Sequence, residues 1–280
     1  MAPPTSSEIT ELRELSEGIA RDAGSFAHAA RRSLGAGTRA VHDTKSSDVD
    51  PVTEFDRATE AMIVERLRER RPDDAIVGEE GASHSGTSGF EWHIDPIDGT
   101  VNFVYDLPGW CTSIGVLHDG VPVAAAVFAP VVGELFSAGL GQGTTVNGES
   151  VFASAATDMA TSLAATGFSY HLGEHRIVQA ERIARLLPQL RDIRRLGSAA
   201  LDLSYVAAGR VDSYFEEFLH SWDVAAGVLL VTEAGGELAD FWGRGREFYE
   251  RSGAIVAGSP AAVELLISHT SLTPHPERKL

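Results

Sequence analysis

The sequence is most informative at Asp95-Pro96-Ile97-Asp98-Gly99-Thr100, which directly follows a predicted strand over residues 90–94. Pro96 restricts Asp95 to an extended conformation and favours a tight bend. This bend allows the carboxylates of Asp95 and Asp98 to face the same pair of cations. Taken alone, however, the stretch is also typical of an ordinary surface turn.

The last two residues of this stretch, Gly99 and Thr100, suit an anion. Gly99 permits a close backbone approach, and the amides of both residues can open a short helix that receives a phosphate group. Two cations ~3.5–4 Å apart would generate hydroxide on one side of a phosphate ester and stabilise the leaving oxygen on the other. The stretch therefore predicts metal-dependent phosphate chemistry if further acidic residues gather beside it.

Further acidic residues do fall at the ends of predicted strands and at the start of a predicted helix. Glu79 and Glu80 follow a predicted strand over residues 75–77, and Asp223 lies at the start of a later helix. In an α/β sheet such positions face the crevice where ligands bind, and carboxylates gathered there repel one another unless a cation neutralises them. Oxygen ligands select hard divalent cations, and we expect Mg²⁺. Each acid alone also fits a solvated loop or a helix cap.

The first half of the chain predicts two helices followed by a run of strands. Apolar residues recur at helical spacing over about residues 8–32, and Thr53 with Asp56 forms a capping box for a second helix that is stopped by Pro72. Three β-rich runs within residues 111–139 are separated by turn signals, which indicates an antiparallel meander. This meander is apolar enough to be a candidate surface for pairing with a second copy.

The second half of the chain alternates between strands and helices. Strands are predicted near residues 162–166, 192–196, 213–218, 237–241 and 254–257, with helices near 175–187, 199–208, 224–234 and from 260 onward. We therefore expect an α/β (α+β) fold of mixed and antiparallel sheets covered by helices. It would form a single domain over residues 1–280, with two lobes that meet near residue 148 and a frayed tail at 271–280.

Composition excludes several classes of protein. The formal net charge of −17 disfavours binding to nucleic acid or to anionic membranes, although a local metal site can still bind phosphate. Cys111 is the only cysteine, so no intrachain disulfide is possible, which fits a reducing compartment. No signal peptide is evident in the first ten residues. We expect a soluble cytoplasmic enzyme.

Several stretches together resemble the inositol monophosphatase family of metal-dependent sugar phosphatases. They are Gly78-Glu79-Glu80, residues 92–103 and residues 220–227, preceded by Lys45-Ser46-Ser47, Pro51-Val52-Thr53 and Asp56. The similarity keeps its order and spacing over about residues 45–236. It implies a layered αβαβα sandwich, a homodimer, and inhibition by lithium through replacement of a weakly held magnesium.

The resemblance also implies a role for each matching residue. It implies two or three Mg²⁺ ions with the following ligands: the carboxylates of Glu79, Asp95, Asp98 and Asp223 and the carbonyl of Ile97. Glu79 and Thr100 would orient and deprotonate the attacking water, and Asp56 would support Thr100. Lys45 would lie on a mobile loop near the third metal, although a solvated surface lysine is the alternative.

Substrate contacts are implied in the same way. Around the phosphate and the polyol, the resemblance implies contacts from Asp98, Gly99, Thr100, the segment Gly197-Ser198-Ala199, Glu216 and Asp223. Glu216 suits vicinal hydroxyl groups, but its neighbour Glu217 could face the substrate instead. The apolar Phe218 and Leu219 leave the identity of the polyol open.

We therefore expect Mg²⁺-dependent hydrolysis of a phosphate monoester on a small polyol, with inositol monophosphate as the first candidate. Histidinol phosphate, fructose 1,6-bisphosphate and a 3′-phosphoadenosine nucleotide are alternatives within the same chemistry. The nucleotide is disfavoured because no basic cluster lies near residues 216–222. A non-catalytic binding role is the alternative from another class, since some similar proteins are associated with RNA-polymerase antitermination complexes.

Overall fold

The computed structural model describes residues 2–35, 37–40, 42–44, 51–168, 173–243 and 253–270. The predictions for Lys45 and for the tail at 271–280 lie outside these residues. No helix within the described ranges is both long enough and apolar enough to cross a membrane.

The helices agree closely with those predicted. They are α1 (Ser6–Ser33), α2 (Glu54–Arg70), α3 (Thr100–Val104), α4 (Glu174–Leu186), α5 (Ala199–Ala207), α6 (Ser221–Glu233) and α7 (Pro260–Thr270). The predicted capping box of α2 is confirmed, because the Thr53 hydroxyl accepts from the Asp56 amide and the Asp56 carboxylate accepts from the Thr53 amide at 2.8 Å. The helix ends just before Pro72, as expected.

The larger sheet contains the predicted meander. Its strands are β3 (Ala75–Gly78), β4 (Ser83–His84), β5 (Phe90–Asp98), β6 (Cys111–His118), β7 (Val121–Ala129), β8 (Glu134–Gly139), β9 (Gly143–Val146) and β10 (Glu149–Val151). They lie in the order β10-β9-β8-β7-β6-β5-β3-β4, and only the β3–β5 pair is parallel among these described strands. Two short strands, β1 (His42–Thr44) and β2 (Pro51–Thr53), form a separate antiparallel ribbon.

The smaller sheet is built from the second half of the chain. Its strands are β11 (Leu163–Thr166), β12 (Asp192–Arg194), β13 (Ser213–Glu217), β14 (Glu237–Ala239) and β15 (Ala254–Gly258). The order is β12-β11-β13-β15-β14, with parallel pairing from β12 to β13 and antiparallel pairing beyond it. This sheet is mixed, as predicted.

The two sheets and the helices stack in five layers, which confirms the αβαβα sandwich. Helices α1 and α2 cover the outer face of the larger sheet, α5 and α6 lie between the sheets, and α4 and α7 cover the far face of the smaller sheet. Each interface is apolar: Leu12 and Ile63 pack on Trp92 in the outer layer, and Leu203 packs with Tyr214 between the sheets. Full burial of such a side chain contributes roughly 1.5–3 kcal/mol.

Several boundaries differ from the predictions. Strand β5 continues to Asp98 instead of ending at residue 94, because a bulge accommodates the predicted bend within the strand. Helix α6 begins at Ser221, three residues before the predicted start. Gly148 lies in the turn of the β9–β10 hairpin, where Asn147 and Gly148 have φ values of 50° and 86°, so the larger sheet continues to Val151.

The strands of the meander contribute mainly to the core. Every residue of β6 is buried, and β6 and β7 are packed between α1 and α6. The exposed apolar residues of this region lie at the first residue of β7 and in the turn before β8, namely Val121, Val131 and Val132. Pairing with a second copy through the meander stays a prediction, and it would have to use these exposed positions.

Candidate active site

The helix α2 brings Asp56 to Thr100. Asp56 is fully buried, and its Oδ1 lies 3.4 Å from Oγ1 of Thr100. The same hydroxyl lies 3.2 Å from the carbonyl oxygen of Ile97. Because the hydroxyl carries one hydrogen, it can donate to only one of these acceptors at a time. The predicted support of Thr100 by Asp56 thus has a direct geometric basis.

The bulge in β5 sets the direction of Asp95 and Asp98. Between these residues β5 contains one more residue than the facing strand β6, since Asp95 pairs with Ser113 and Asp98 pairs with Cys111. The Asp95 carboxylate accepts from the Ile97 amide at 3.0 Å, which closes the bend. Both aspartates are buried, at 2% and 8% exposure.

Asp98 also contacts the start of α5. Its Oδ2 accepts from the Ser198 hydroxyl at 2.7 Å and from the Ala200 amide at 2.6 Å. Burial raises the pKa of Asp98 to about 6, although these two hydrogen bonds lower it. Ala199, a predicted substrate contact, is therefore positioned beside Asp98.

Glu79 and Asp223 approach the same place from two other elements. The Glu79 amide donates to the carbonyl of Ile94 at 3.2 Å, directly after β3. Asp223 lies in the first turn of α6, where its carboxylate accepts from the His220 amide at 2.6 Å. The sequence predicted Asp223 at the helix start, and the structure places it as the third helical residue of a capping box.

These four carboxylates lie close enough to repel one another. The pKa of Asp95 lies well above its usual value, first because of burial and then because of the charges of Glu79, Asp98 and Asp223. The pKa of Asp223 is also raised well above its usual value, by desolvation and then by the charges of Glu79 and Asp98. Residues more than 140 positions apart in the sequence thus form one acidic group.

The chemistry of this acidic group fits Mg²⁺. All of its side-chain donors are carboxylate oxygens, and the Ile97 carbonyl lies beside them. A hard divalent cation would offset their repulsion. Among the described residues, however, no group of three Asp, Glu, His or Cys side chains is yet close enough together to hold a metal ion. Asp98 and Asp223 each use one oxygen in hydrogen bonds to the protein.

Gly99 is required by the local backbone. Its φ is 96°, and a Cβ atom there would lie 2.8 Å from the carbonyl oxygen of Gly109. The close approach seen here is made by another part of the protein, and the approach of a phosphate to the Gly99 amide stays a prediction. Asn102 strengthens the same contact, since its amide donates to the carbonyls of Gly109 and Leu196 at 2.5 and 2.7 Å.

The structure separates the roles of Glu216 and Glu217. Glu217 is buried in an ion pair with Arg182 on the far side of the smaller sheet. Glu216 accepts from the Tyr214 hydroxyl, and its charged neighbours include Asp98 and Arg195. Burial raises the pKa of Glu216 to about 7. Glu216 is therefore the acid that faces the acidic group.

Sequence reasoning missed several residues around the site. Arg195, an exposed cation from the loop before α5, lies near Glu216 although it is distant from it in the sequence. Asp202 is buried, and neither of its carboxylate oxygens has a hydrogen-bond partner among the described residues. Cys111 Sγ lies 3.4 Å from Ser198 Oγ and 4.0 Å from Asp98 Oδ2. Only proximity in the fold reveals these three.

Glu60 was missed although a signal was present. It follows Asp56 by four residues on α2, so the two share a helix face. Glu60 is buried and accepts hydrogen bonds from the amides of Glu80 and Ala82. Because Asp56 was already a candidate, the helical period alone could have identified Glu60 one turn after it.

Comparison with known proteins agrees with the fold and with the family resemblance. Residues 8–273 match the model of the inositol monophosphatase family. The Nus factor SuhB of Salmonella typhimurium is 42% identical over 231 residues, which cover 82% of this chain and 86% of that protein. The inositol-1-monophosphatase of Mycobacterium leprae is 41% identical over 239 residues, covering 80% and 82%. The crystal structure of the extragenic suppressor protein suhB from Bartonella henselae has a TM-score of 0.87 and 31% identity, covering 94% of this chain and all of that one.

Proposed function

This chain belongs to the inositol monophosphatase family, a family of metal-dependent phosphatases, and on that basis we propose that it hydrolyses the phosphate monoester of a small polyol with Mg²⁺. Inositol monophosphate is the first candidate substrate. The observation that carries the proposal is the acidic group of Glu79, Asp95, Asp98 and Asp223 beside the Thr100 hydroxyl.

Under this proposal the acidic group and the carbonyl of Ile97 hold the magnesium ions. Magnesium, when bound, supplies the positive charge that neutralises these carboxylates and the phosphate and that makes water more acidic. Asp98 would contribute mainly through Oδ1, because its Oδ2 accepts from both Ser198 and Ala200. These two hydrogen bonds keep its side chain in one orientation.

The attacking water is oriented by Thr100 and Glu79. When the Thr100 hydroxyl donates to Asp56, its oxygen is left to accept a hydrogen bond from the water. The Glu79 carboxylate takes the proton as the water oxygen bonds to phosphorus. The ester P–O bond breaks, and the polyol oxygen leaves and takes a proton from solvent water, while Glu79 returns its proton to the solvent. The products are the free polyol and inorganic phosphate.

The substrate is held by groups on the opposite side of the site. The phosphate contacts Gly99 and Thr100, and the polyol hydroxyls contact Glu216 and the start of α5 at Ala199. Tyr214 supports this role, because its hydrogen bond holds the Glu216 carboxylate in one position. Arg195 lies near Glu216, and its positive charge could bind a second anionic group on the substrate. The substrates to be tested therefore include an ester that carries two phosphate groups.

A panel of phosphate esters tests the proposal. Phosphate release is measured with inositol 1-phosphate, histidinol phosphate, fructose 1,6-bisphosphate and adenosine 3′,5′-bisphosphate, each with Mg²⁺ and with a chelator. We expect Mg²⁺-dependent turnover that is fastest with inositol 1-phosphate. A negligible rate on that ester with a high rate on another overturns the substrate, and no release from any ester overturns the phosphatase.

A second, non-catalytic role is favoured by the names of the relatives. Proteins that are 42% identical to this chain are named Nus factor. We propose that this chain also acts in transcription through contact with proteins, since its charge of −17 opposes direct contact with RNA. The test is transcription through a terminator by purified RNA polymerase, with and without the protein. Equal read-through in both reactions argues against this role.

A further inference from the structure

Glu60 is a buried acid that does not belong to the acidic group. It lies on α2 and is 5% exposed. Its Oε2 accepts from the Glu80 amide at 2.8 Å, and its Oε1 accepts from the Ala82 amide at 2.9 Å. Each carboxylate oxygen thus binds one backbone N–H, and the two amides lie just after Glu79 in the loop that follows β3.

The backbone of this loop is closely fitted to the Glu60 carboxylate. A Cβ atom on Gly78 would lie 2.4 Å from Glu60 Oε2 and 3.0 Å from the Cβ of Ala82. The Gly78 amide also donates to the carbonyl of Ala82 at 2.7 Å, which closes the loop on itself. Glu79 is therefore held on both sides: Gly78 before it packs against the Glu60 carboxylate, and the amide of Glu80 after it donates to that carboxylate.

The same helix also carries Asp56, which lies one turn before Glu60. Four residues of α-helix advance about 6 Å, so the two acids sit on the same face of α2. Asp56 contacts the Thr100 hydroxyl, and Glu60 binds the loop of Glu79. One helix therefore contacts the Thr100 hydroxyl directly and the backbone of the loop that carries Glu79.

We propose that Glu60 is a positioning residue that fixes Glu79 relative to Thr100. This inference rests on the proposed phosphatase function. The carboxylate is required because both of its oxygens accept from N–H groups. In Glu60→Gln one oxygen becomes an amino group that faces a backbone donor, so one hydrogen bond is lost and the loop shifts.

The experiment compares Glu60→Gln with Glu65→Gln, an exposed glutamate on the same helix. We expect Glu60→Gln to lower kcat roughly 10–100-fold, the usual effect of losing a partner that orients a metal ligand. KM should stay within about threefold, because substrate contacts are unchanged. Glu65→Gln should match the wild type. A kcat for Glu60→Gln within about twofold of the wild type overturns the inference.

Two further measurements do not depend on turnover. Hydrogen exchange of the peptide that contains residues 79–82 should be faster in Glu60→Gln than in the wild type, and calorimetry should show weaker Mg²⁺ binding. Unchanged exchange and unchanged Mg²⁺ affinity in a folded variant overturn the inference. If the wild type releases no phosphate from any ester, the proposed function fails, while these two measurements still decide whether Glu60 holds the loop.

Gly78→Ala provides a second route if Glu60→Gln does not fold. The added methyl group would displace the Glu60 carboxylate without removing it, since the two would otherwise overlap. We expect the same pattern: lower kcat, similar KM and faster exchange over residues 79–82. A Gly78→Ala enzyme with wild-type kcat and exchange overturns the inference.

Discussion

His93 and Ser221 connect the two elements that carry Asp95 and Asp223. Nδ1 of His93 lies 2.8 Å from Oγ of Ser221, and Nε2 lies 2.7 Å from the Glu91 carboxylate. His93 precedes Asp95 by two residues on β5, and Ser221 precedes Asp223 by two residues on α6. This contact sets the distance between strand and helix next to the acidic group.

Removal of this contact should loosen the packing of α6 on β5. We expect Ser221→Ala to lower the free energy of unfolding by roughly 1–2 kcal/mol, the range for one lost hydrogen bond, and His93→Leu to lower it further, because His93 also loses its contact with Glu91. The two effects should be coupled, so the double variant loses less than the sum. Urea unfolding of the wild type and the three variants measures the coupling. Strict additivity would show that the two residues do not interact.

Asp98→Asn should abolish Mg²⁺-dependent turnover in a folded protein. The substitution removes one negative charge from the acidic group but keeps an oxygen for the Ser198 and Ala200 donors. We expect a loss of at least about a hundredfold in kcat, the scale seen when charge stabilisation is removed from a closed site. Asp73→Asn, at an exposed position, is the matched control. Persistent activity in a folded Asp98→Asn protein contradicts the site assignment.

Stability without metal should fall as the pH rises. The folded-state pKa of Asp98 is raised to about 6, so the folded protein binds more protons than the unfolded chain between the unfolded value of 3.8 and about pH 6. The contribution of Asp98 is therefore fully present below pH 3.8 and is lost as the pH passes through about 6. Its size is on the order of 2–3 kcal/mol.

Urea unfolding in a chelator at several pH values between about 4 and 7.5 measures this effect. Asp98→Asn should show a shallower decline than the wild type, and added Mg²⁺ should restore stability at the upper end of the range. A metal-free wild type that becomes more stable as the pH rises to 7 would contradict the raised pKa of this acidic group.

Lithium should inhibit phosphate release. Family resemblance implies that a weakly held magnesium is replaced by lithium, and an oxygen-only donor set accepts either hard cation. Initial rates with the preferred ester are measured at rising LiCl, with NaCl at equal ionic strength as the control. Inhibition by LiCl alone is the expected result, and full activity at high LiCl contradicts it.

Much of the fold was predictable because local patterns and tertiary packing agree. The capping box of Thr53 and Asp56, the stop at Pro72 and the meander all follow from short-range rules. The end of β5 was not predictable, because Pro96 and a change of direction normally end a strand. Here a bulge keeps β5 paired with β6 through Asp98.

The candidate site was predictable only in part. Motif residues such as Asp95 and Asp223 stand out by their neighbours in the sequence, whereas Arg195 and Asp202 have no local signal. They approach the site because α5 starts at the sheet edge opposite Asp98. Pairing between Glu91, His93 and Ser221 also depends on the packing of α6 against β5.

The two adjacent glutamates of β13 should respond differently to substitution. Glu216→Gln should raise KM for the polyol ester at least about fivefold with a smaller change in kcat, because Glu216 contacts hydroxyl groups that are not themselves reacting. Glu217→Gln should leave KM unchanged but lower the free energy of unfolding by about 3–5 kcal/mol, because the buried guanidinium of Arg182 would then face a neutral amide in place of the carboxylate. Steady-state kinetics and urea unfolding of both variants separate the two effects. The reverse pattern, with KM raised by Glu217→Gln, would mean that Glu217 faces the substrate and that the orientation of β13 toward the acidic group has been misassigned.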